Sequence, residues 1–505
     1  DGAHDALNRI LRKQGADVSK IVEAQSTFAS TEDLVYQFHV SSTDTTTYST
    51  SSTTGAAITN QFDNADLNKY AGNGGQTINY VTRKNWKQSF DDSSLETMKA
   101  THVSLKMTDT MYKDVVNEQY TAPEASKDAI MPQMGVKNGL KLAEFVGVPR
   151  DGKIKKGSKE YTWDDLLNQL SFKDMNNLIS VGQHTTKVIP SVGKPGTSDQ
   201  NGPSGFSSTF VGGGSGTAFP APAVRAATFN KELAKKVGSH IGEDGLASGC
   251  NGLYGPAANT HRNAYCGRNF EYYSEDPILS SLFGAEEVKG IQSKGIIVYE
   301  KHFALNDSES HREGVGVWAN EQSIRQIYLE AFHTILKKDG GNAHAIMSGF
   351  NRLGTVWTGD HDGIMNKVAR GEWGFDGFII TDADSNNKGV LNTGYMYAPR
   401  AITTGTDIYD GNDNMSRTAQ LNKYIKDAYV VSCMREASAR ILYTVANSAA
   451  MNGTSATSEV VEIMPWWQVT TLSIMAGFIA LTVVSGTFLV LNMVGVMNFP
   501  KKKEK

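Results

Sequence analysis

Between residues 180 and 450, short runs that are apolar at every position alternate with stretches of helical period. Ile296-Ile297-Val298-Tyr299, Ala345-Ile346-Met347 and Phe378-Ile379-Ile380 are such runs, the pattern of strands covered on both faces. Three amphipathic helices lie among them. Asn230 is placed to cap one carrying Leu233, Val237 and Ile241. A second has Ile324, Ile327, Tyr328, Ala331, Phe332 and Ile335 on one stripe, ending at Gly340-Gly341. The third stripe is Val430, Met434, Ala437, Ile441 and Val445. Strands alternating with helices predict an α/β fold with a parallel sheet, and a (β/α)8-type TIM barrel fits best, over residues 160–450.

The region before the barrel reads as mixed and β-rich. Residues 1–40 start with a short helical pattern (Ala6, Leu7, Ile10, Leu11), and Leu34 to Val40 then alternates as a strand does. Residues 41–54 are almost wholly Ser, Thr and Tyr, too poor in apolar groups to offset the entropy of ordering, and read as a linker closing a first segment, 1–54. A mixed connecting region, 55–159, holds possible strands at Ile78–Val81 and His102–Met107, and Tyr161-Thr162-Trp163-Asp164-Asp165 opens a helix.

The other end is apolar throughout. After a juxtamembrane stretch, 451–468, Val469 to Phe499 runs 31 residues without a charge. Its central part, Leu472 to Val494, spans about 34 Å as a helix, enough to cross a hydrocarbon core of roughly 30 Å. Trp466 and Trp467 sit where an interfacial belt would lie, and Lys501, Lys502, Lys503 and Lys505 follow in a basic tail, 500–505. The expectation is one transmembrane helix through the lipid bilayer of the cell membrane, with the body extracellular and the C-terminus cytoplasmic.

Composition removes some alternatives. With 505 residues, 39% hydrophobic and 20% charged, the chain is globular in character. Lys+Arg 49 against Asp+Glu 53, with no basic block before the C-terminus, argues against nucleic acid as a partner. Cys250, Cys266 and Cys433 are too few and too scattered for a disulfide framework or a zinc site, though one bridge between Cys250 and Cys266 stays open. The chain starts at Asp1 without a signal segment, as a processed product or fragment would.

Barrel enzymes place reactive groups at the C-terminal ends of their strands. Here those ends are Lys301-His302, Asn351-Arg352 and Asp382. A carboxylate, a Lys, a His and an Arg converging on one mouth suit a polyhydroxylated ligand, because charged donors and acceptors bind hydroxyls and a carboxylate can attack carbon.

Ordered motifs then resemble glycoside hydrolase family 3, the β-glucosidase and β-hexosaminidase group. Gly255-Pro256, His261-Arg262 and the run from Gly267 to Pro277 are similar to its Gly-Arg segment, Lys301-His302-Phe303 with Asn306, Glu309 and Arg312 to its Lys-His motif, and Gly371 to Asp382 to the segment ending in its nucleophile. The resemblance implies Asp382 as nucleophile, with Arg268, Lys301 and His302 holding sugar hydroxyls. It also implies the C-terminal part of a circularly permuted, membrane-anchored member, whose upstream sandwich domain of the same precursor is a partner.

The chain departs from the family pattern at several points. The family's Asp-Gly-Pro-x-Gly is Asn201-Gly202-Pro203-Ser204-Gly205, with Asp199 as a stand-in for the lost carboxylate. Ala383 stands where a Trp is usual, and Phe350 where a Tyr is usual. The acid/base of the β-glucosidases belongs to the sandwich domain, which nothing here resembles. His311 is the local candidate for it, since single-domain members use a His on this loop, while Glu309 is expected to pair with Arg312. The implied reaction is retaining hydrolysis of an oligosaccharide or β-glycoside, glucose or xylose being the terminal sugar, without metal or cofactor. The alternatives are a non-catalytic, membrane-tethered sugar-binding barrel and a structural surface protein.

Overall fold

A computed structural model of the chain describes residues 42, 46–70, 107–116, 120–207, 216–262, 266–383, 395–411, 414–464 and 466–496. Two units are distinguished, residues 1–50 and 51–505. In the first, the described part holds one exposed helical turn, Thr47–Ser49. The helix and strand expected within residues 1–40, the strand at Ile78–Val81, and all of His102–Met107 except Met107 lie outside the described residues.

The second unit is built on a parallel sheet. Its strands are β1 (Asp199–Asn201), β2 (Gly252–Tyr254), β3 (Ile297–Phe303), β4 (Ala345–Ser348) and β5 (Phe378–Ile380), side by side in chain order. Among the described residues five regular strands make this sheet, where eight were expected. Backbone hydrogen bonding continues past its edges: Thr381 N–H donates to Ile408 O at 3.0 Å, Tyr409 N–H to Ile179 O at 2.8 Å, and Asp199 N–H to His184 O at 3.0 Å.

The continuous apolar runs follow from burial on both faces. Ile297, Tyr299, Ala345, Met347, Phe378 and Ile380 enter one apolar cluster, whereas Ile296, Val298, Ile346 and Ile379 enter another. Neither face of the sheet needs polar residues, so strand alternation is lost from the sequence.

The main helices are α1 (Phe172–Ser180), α2 (Lys231–Ala247), α3 (Pro277–Gln292), α4 (Glu330–Leu336), α5 (Ala428–Ala446) and α6 (Trp466–Met493). Thr162 caps the helix Trp163–Leu167 in a reciprocal arrangement with Asp165, and Ser171 does the same for α1 with Asp174. The α5 stripe is buried as the periodicity predicts.

Two predicted faces are corrected. Asn230 does cap α2, accepting from Leu233 N–H at 3.0 Å, but Leu233 is exposed, and the buried face is Ala234, Gly238, Ile241, Gly242 and Gly245. A Cβ on Gly238 would fall 2.2 Å from Glu287 O of α3, and one on Gly290 2.2 Å from Lys235 O of α2. The two backbones touch through glycine, which carries no hydrophobic signal. Before α4, residues Ile324–Leu329 are π-helical, and the wider turn brings Leu329 into the core while Ile327 and Tyr328 stay half-buried.

The Ser/Thr tract is not wholly a linker: Ser51 and Thr54 donate to Glu372 O and Gly371 O, closing carbonyls at the end of the π-helical segment Gly363–Glu372. The open Cys250–Cys266 bridge is absent. All three cysteines are free, and the two lie in separate apolar clusters.

In α6, Gln468–Met493 is long and apolar enough to cross a membrane, with mean hydropathy 2.3 over 18 of its residues, none of which is buried in the protein. It ends before the expected Phe499 because Gly495 takes φ +74°, and Val496 N–H turns back to Leu491 O at 2.9 Å. Residues 497–505 lie outside the described residues.

Candidate active site

The C-terminal strand ends surround a cavity of about 580 Å³. Asn201 from β1, Tyr254 from β2, Lys301 and His302 from β3, Met347 from β4 and Asp382 after β5 all line it. Loops add Gln183, His184, Arg268, Glu271, Glu309, Arg312, Ala383 and Asp410. A cavity this polar can meet many hydroxyls at once.

Asp382 is held from one side. Its Oδ1 accepts from Ala383 N–H at 2.8 Å, while Oδ2 accepts no hydrogen bond from the described residues and lies 3.6 Å from His302 Nε2. Burial raises its pKa, and Arg268, Arg312 and Lys301 partly offset that. His302 is buried, and burial together with Arg268, Lys301 and Arg312 pushes it well below the ordinary imidazole range. The imidazole is therefore neutral, and its approach to Asp382 is not an ion pair. Asn259 fixes the backbone here, accepting from His302 N–H at 2.9 Å and donating to His302 O at 3.0 Å.

Arg268 is clamped by Glu271 through two bonds, Nε to Oε1 at 3.1 Å and Nη2 to Oε2 at 2.9 Å. Lys301 Nζ lies 3.4 Å from the same carboxylate. Burial pushes Glu271 up, but Lys301 and Arg268 outweigh it and hold the group below the usual carboxylate range. Glu309 pairs with Arg312 at 3.1 Å, as expected, and the Arg312 guanidinium stacks 4.7 Å over Phe350.

Two expected site residues do not reach the cavity. Asp199 shares the inward face of β1 with Asn201 but stands one layer deeper, about 6–7 Å back along the strand. It is wholly buried, and its Oδ2 accepts from Tyr299 at 2.7 Å and Thr197 at 2.9 Å. Lys194 is sealed nearby, with Nζ donating to Thr186, Lys187 and Pro195 oxygens between 2.8 and 3.2 Å. His311 is exposed at φ +53° and lies outside the cavity lining, whereas its loop neighbours Glu309 and Arg312 turn inward. Glu271, Tyr254, His184 and Asp410 were not singled out from sequence. For Glu271 the signal was its spacing from Arg268, three residues away across one turn.

Residues 203–443 match the family described as "Glycosyl hydrolase family 3 N terminal domain". Beta-glucosidase A of Butyrivibrio fibrisolvens is 36% identical over 245 residues, covering 46% of this chain and 29% of its own length. A beta-glucosidase of Rhizobium radiobacter is 35% identical over 222 residues, covering 43% and 27%. The solved structure of beta-glucosidase 3B from Thermotoga neapolitana in complex with glycerol superposes with a TM-score of 0.51 at 28% identity, over 59% of this chain and 44% of that one. A beta-glucosidase from Paenibacillus barengoltzii, 24% identical with a TM-score of 0.55, shares the fold over 68% and 38%. The chain thus spans under a third of the length of these curated relatives. These relatives are named as beta-glucosidases throughout, and the family match over residues 203–443 contains every strand end that lines the cavity except β1.

Proposed function

We propose that this chain carries the sugar-binding barrel of a retaining β-glycoside hydrolase that releases terminal β-linked glucose or xylose. The observation that carries the reading is the asymmetry of Asp382: one oxygen is fixed by a backbone N–H, and the other is free at a cavity ringed by Arg268, Lys301 and Arg312. The free oxygen attacks the anomeric carbon, the leaving oxygen takes a proton, and water then releases the glycosyl-enzyme. Arg268, Lys301, His302 and Asn201 orient the ring hydroxyls, and their contacts tighten as charge develops at the anomeric centre.

Two of the cavity's other carboxylates are tied to cations: Glu271 is held below the usual carboxylate range by Lys301 and Arg268, and Glu309 is paired with Arg312. We assign the acid/base to a domain outside this chain, approaching Asp382 to the roughly 5–5.5 Å that retention requires. The backbone bonds from β5 through Ile408 and Tyr409 to Ile179, and from His184 to β1, support closure of the sheet into a barrel. The exposed apolar surface of α6 supports a single membrane crossing, and the basic run Lys501, Lys502 and Lys503 after it supports a sugar-binding body outside.

A non-catalytic sugar-binding barrel is the second reading, favoured by Ala383 beside Asp382 and by His311 lying outside the cavity. The test is mass spectrometry after incubation with a 2-fluoro-2-deoxy β-glucosyl trapping reagent, with and without the upstream domains. An adduct on the Asp382 peptide supports the hydrolase. Failure of glucosyl, xylosyl and N-acetylglucosaminyl reagents alike, with ligand-induced stabilisation retained, supports the binder.

A further inference from the structure

We propose that Asp410 is a specificity-determining residue, whose carboxyl takes one hydroxyl of the sugar seated over Asp382. The inference rests on the reading of the cavity as a β-glycoside site and adds to it a contact that no motif marks.

The argument starts from register. Ile380 at the end of β5 pairs in parallel with Ile408, and two residues further on each chain come Asp382 and Asp410, on the same face. Asp410 N–H donates to Thr381 Oγ1 at 2.9 Å, which fixes the second carboxyl beside the first. Both line the cavity.

The charges then separate their roles. Arg268 and Lys301 face Glu271, Arg312 faces Glu309, and all three cations act on Asp382. Asp410 has no ion-pair partner among the described residues. It meets the Tyr254 hydroxyl at 3.3 Å, and Tyr254 is itself held by His184 N–H at 3.0 Å and Gly182 O at 3.2 Å and stacked on His184. Burial and the neighbouring Asp382 raise its pKa well above the ordinary range.

A sugar hydroxyl both donates and accepts, and the cavity's cations only donate. Glu271 is bonded through both oxygens to Arg268, Glu309 lies between Arg312 at 3.1 Å and Arg268 at 3.9 Å, and Asp382 must keep its free oxygen for the anomeric carbon. Among the described residues Asp410 is therefore the cavity carboxyl with no cation beside it, left to meet a hydroxyl on a site made rigid by Tyr254 and Thr381.

The test is calorimetric binding of methyl β-glucoside and its four monodeoxy analogues to the full chain, its Asp410→Asn variant and its Asp410→Ala variant. One deoxy analogue should bind the wild type about 10- to 100-fold more weakly than the parent. Asp410→Ala should lose as much for the parent and nothing further for that analogue, and Asp410→Asn, which keeps the volume, should fall between. Equal affinities in all three proteins, or penalties that simply multiply, overturn the assignment of Asp410 and leave the β-glycoside reading standing. Failure of the wild type to bind any of these glucosides, methyl β-xyloside or methyl N-acetyl-β-glucosaminide overturns that reading, and this inference with it. Thermal midpoints near wild type establish that both variants fold.

Discussion

Asp382 and Asp410 stand side by side at the ends of two neighbouring parallel segments, two residues beyond the paired Ile380 and Ile408. One is surrounded by cations, the other meets the Tyr254 hydroxyl. Placing two carboxyls together forces such a division, since like charges this close disfavour ionising both. The cations favour ionisation of Asp382 over Asp410.

The pH profile of Asp382 trapping follows from its surroundings. Burial raises its pKa, Arg268 is the largest opposing influence, and only the ionised form attacks. Labelling should therefore fall as pH drops through the raised pKa. Removing a cation destabilises the carboxylate further, so Arg268→Met should shift this acidic limb to higher pH. A limb that stays in place or moves down would remove Arg268 from this role.

Glu271 organises the donors. Glu271→Gln leaves Arg268 and Lys301 close together without their shared counter-charge. Breaking a buried pair from one side costs about 3 kcal/mol. The variant should lose stability on that scale in urea and bind methyl β-glucoside at least about tenfold more weakly.

Asp307 supplies a pH dependence away from the cavity. Burial pushes it from 3.8 up to about 7, against the Thr260 hydroxyl at 3.3 Å and the charge of Arg262. The folded protein keeps this proton to higher pH than the unfolded chain does. The resulting stability is complete below the unfolded pKa near 3.8 and is lost as pH rises towards 7. Asp307→Asn should flatten the thermal midpoint between pH 4 and pH 7 and exceed wild type at pH 8.

The contact of α2 with α3 is testable by one methyl group. Alanine favours a helix over glycine by about 1 kcal/mol, yet at Gly238 its Cβ would meet Glu287 O at 2.2 Å. Gly238→Ala should destabilise by about 1–3 kcal/mol in chemical unfolding, as overpacking does. A gain in stability would show that the helices separate freely.

None of Gln468–Met493 is buried in the protein. Truncation after Ile463 should leave the thermal midpoint of the remaining body unchanged and move the protein from the detergent phase to the aqueous phase. Leu481→Arg should weaken insertion by about 3 kcal/mol.

Much of this was legible in the order of residues. Strands β3, β4 and β5 announce themselves because both of their faces are covered, and α5 because a full stripe of large apolar side chains meets the core. Lys301, His302, Arg268 and Asp382 were visible because each follows a strand or sits in a recognisable run. The face of α2 was not, since glycine contacts leave no apolar period, and the π-turn before α4 displaced a stripe that counting at 3.6 residues per turn had placed elsewhere.

What the sequence determined alone is therefore local: that β3, β4 and β5 are strands, that Asn230 caps α2, and that one long apolar helix lies at the end. Tertiary structure decided which polar residues meet. Asp199 and Asn201 share a face, yet one strand repeat buries the first beneath Tyr299 and leaves the second in the cavity. Asp410 carries no motif and reaches Asp382 only because two segments pair in register. Strand pairing joins residues distant along the chain, and no local pattern encodes which two will meet.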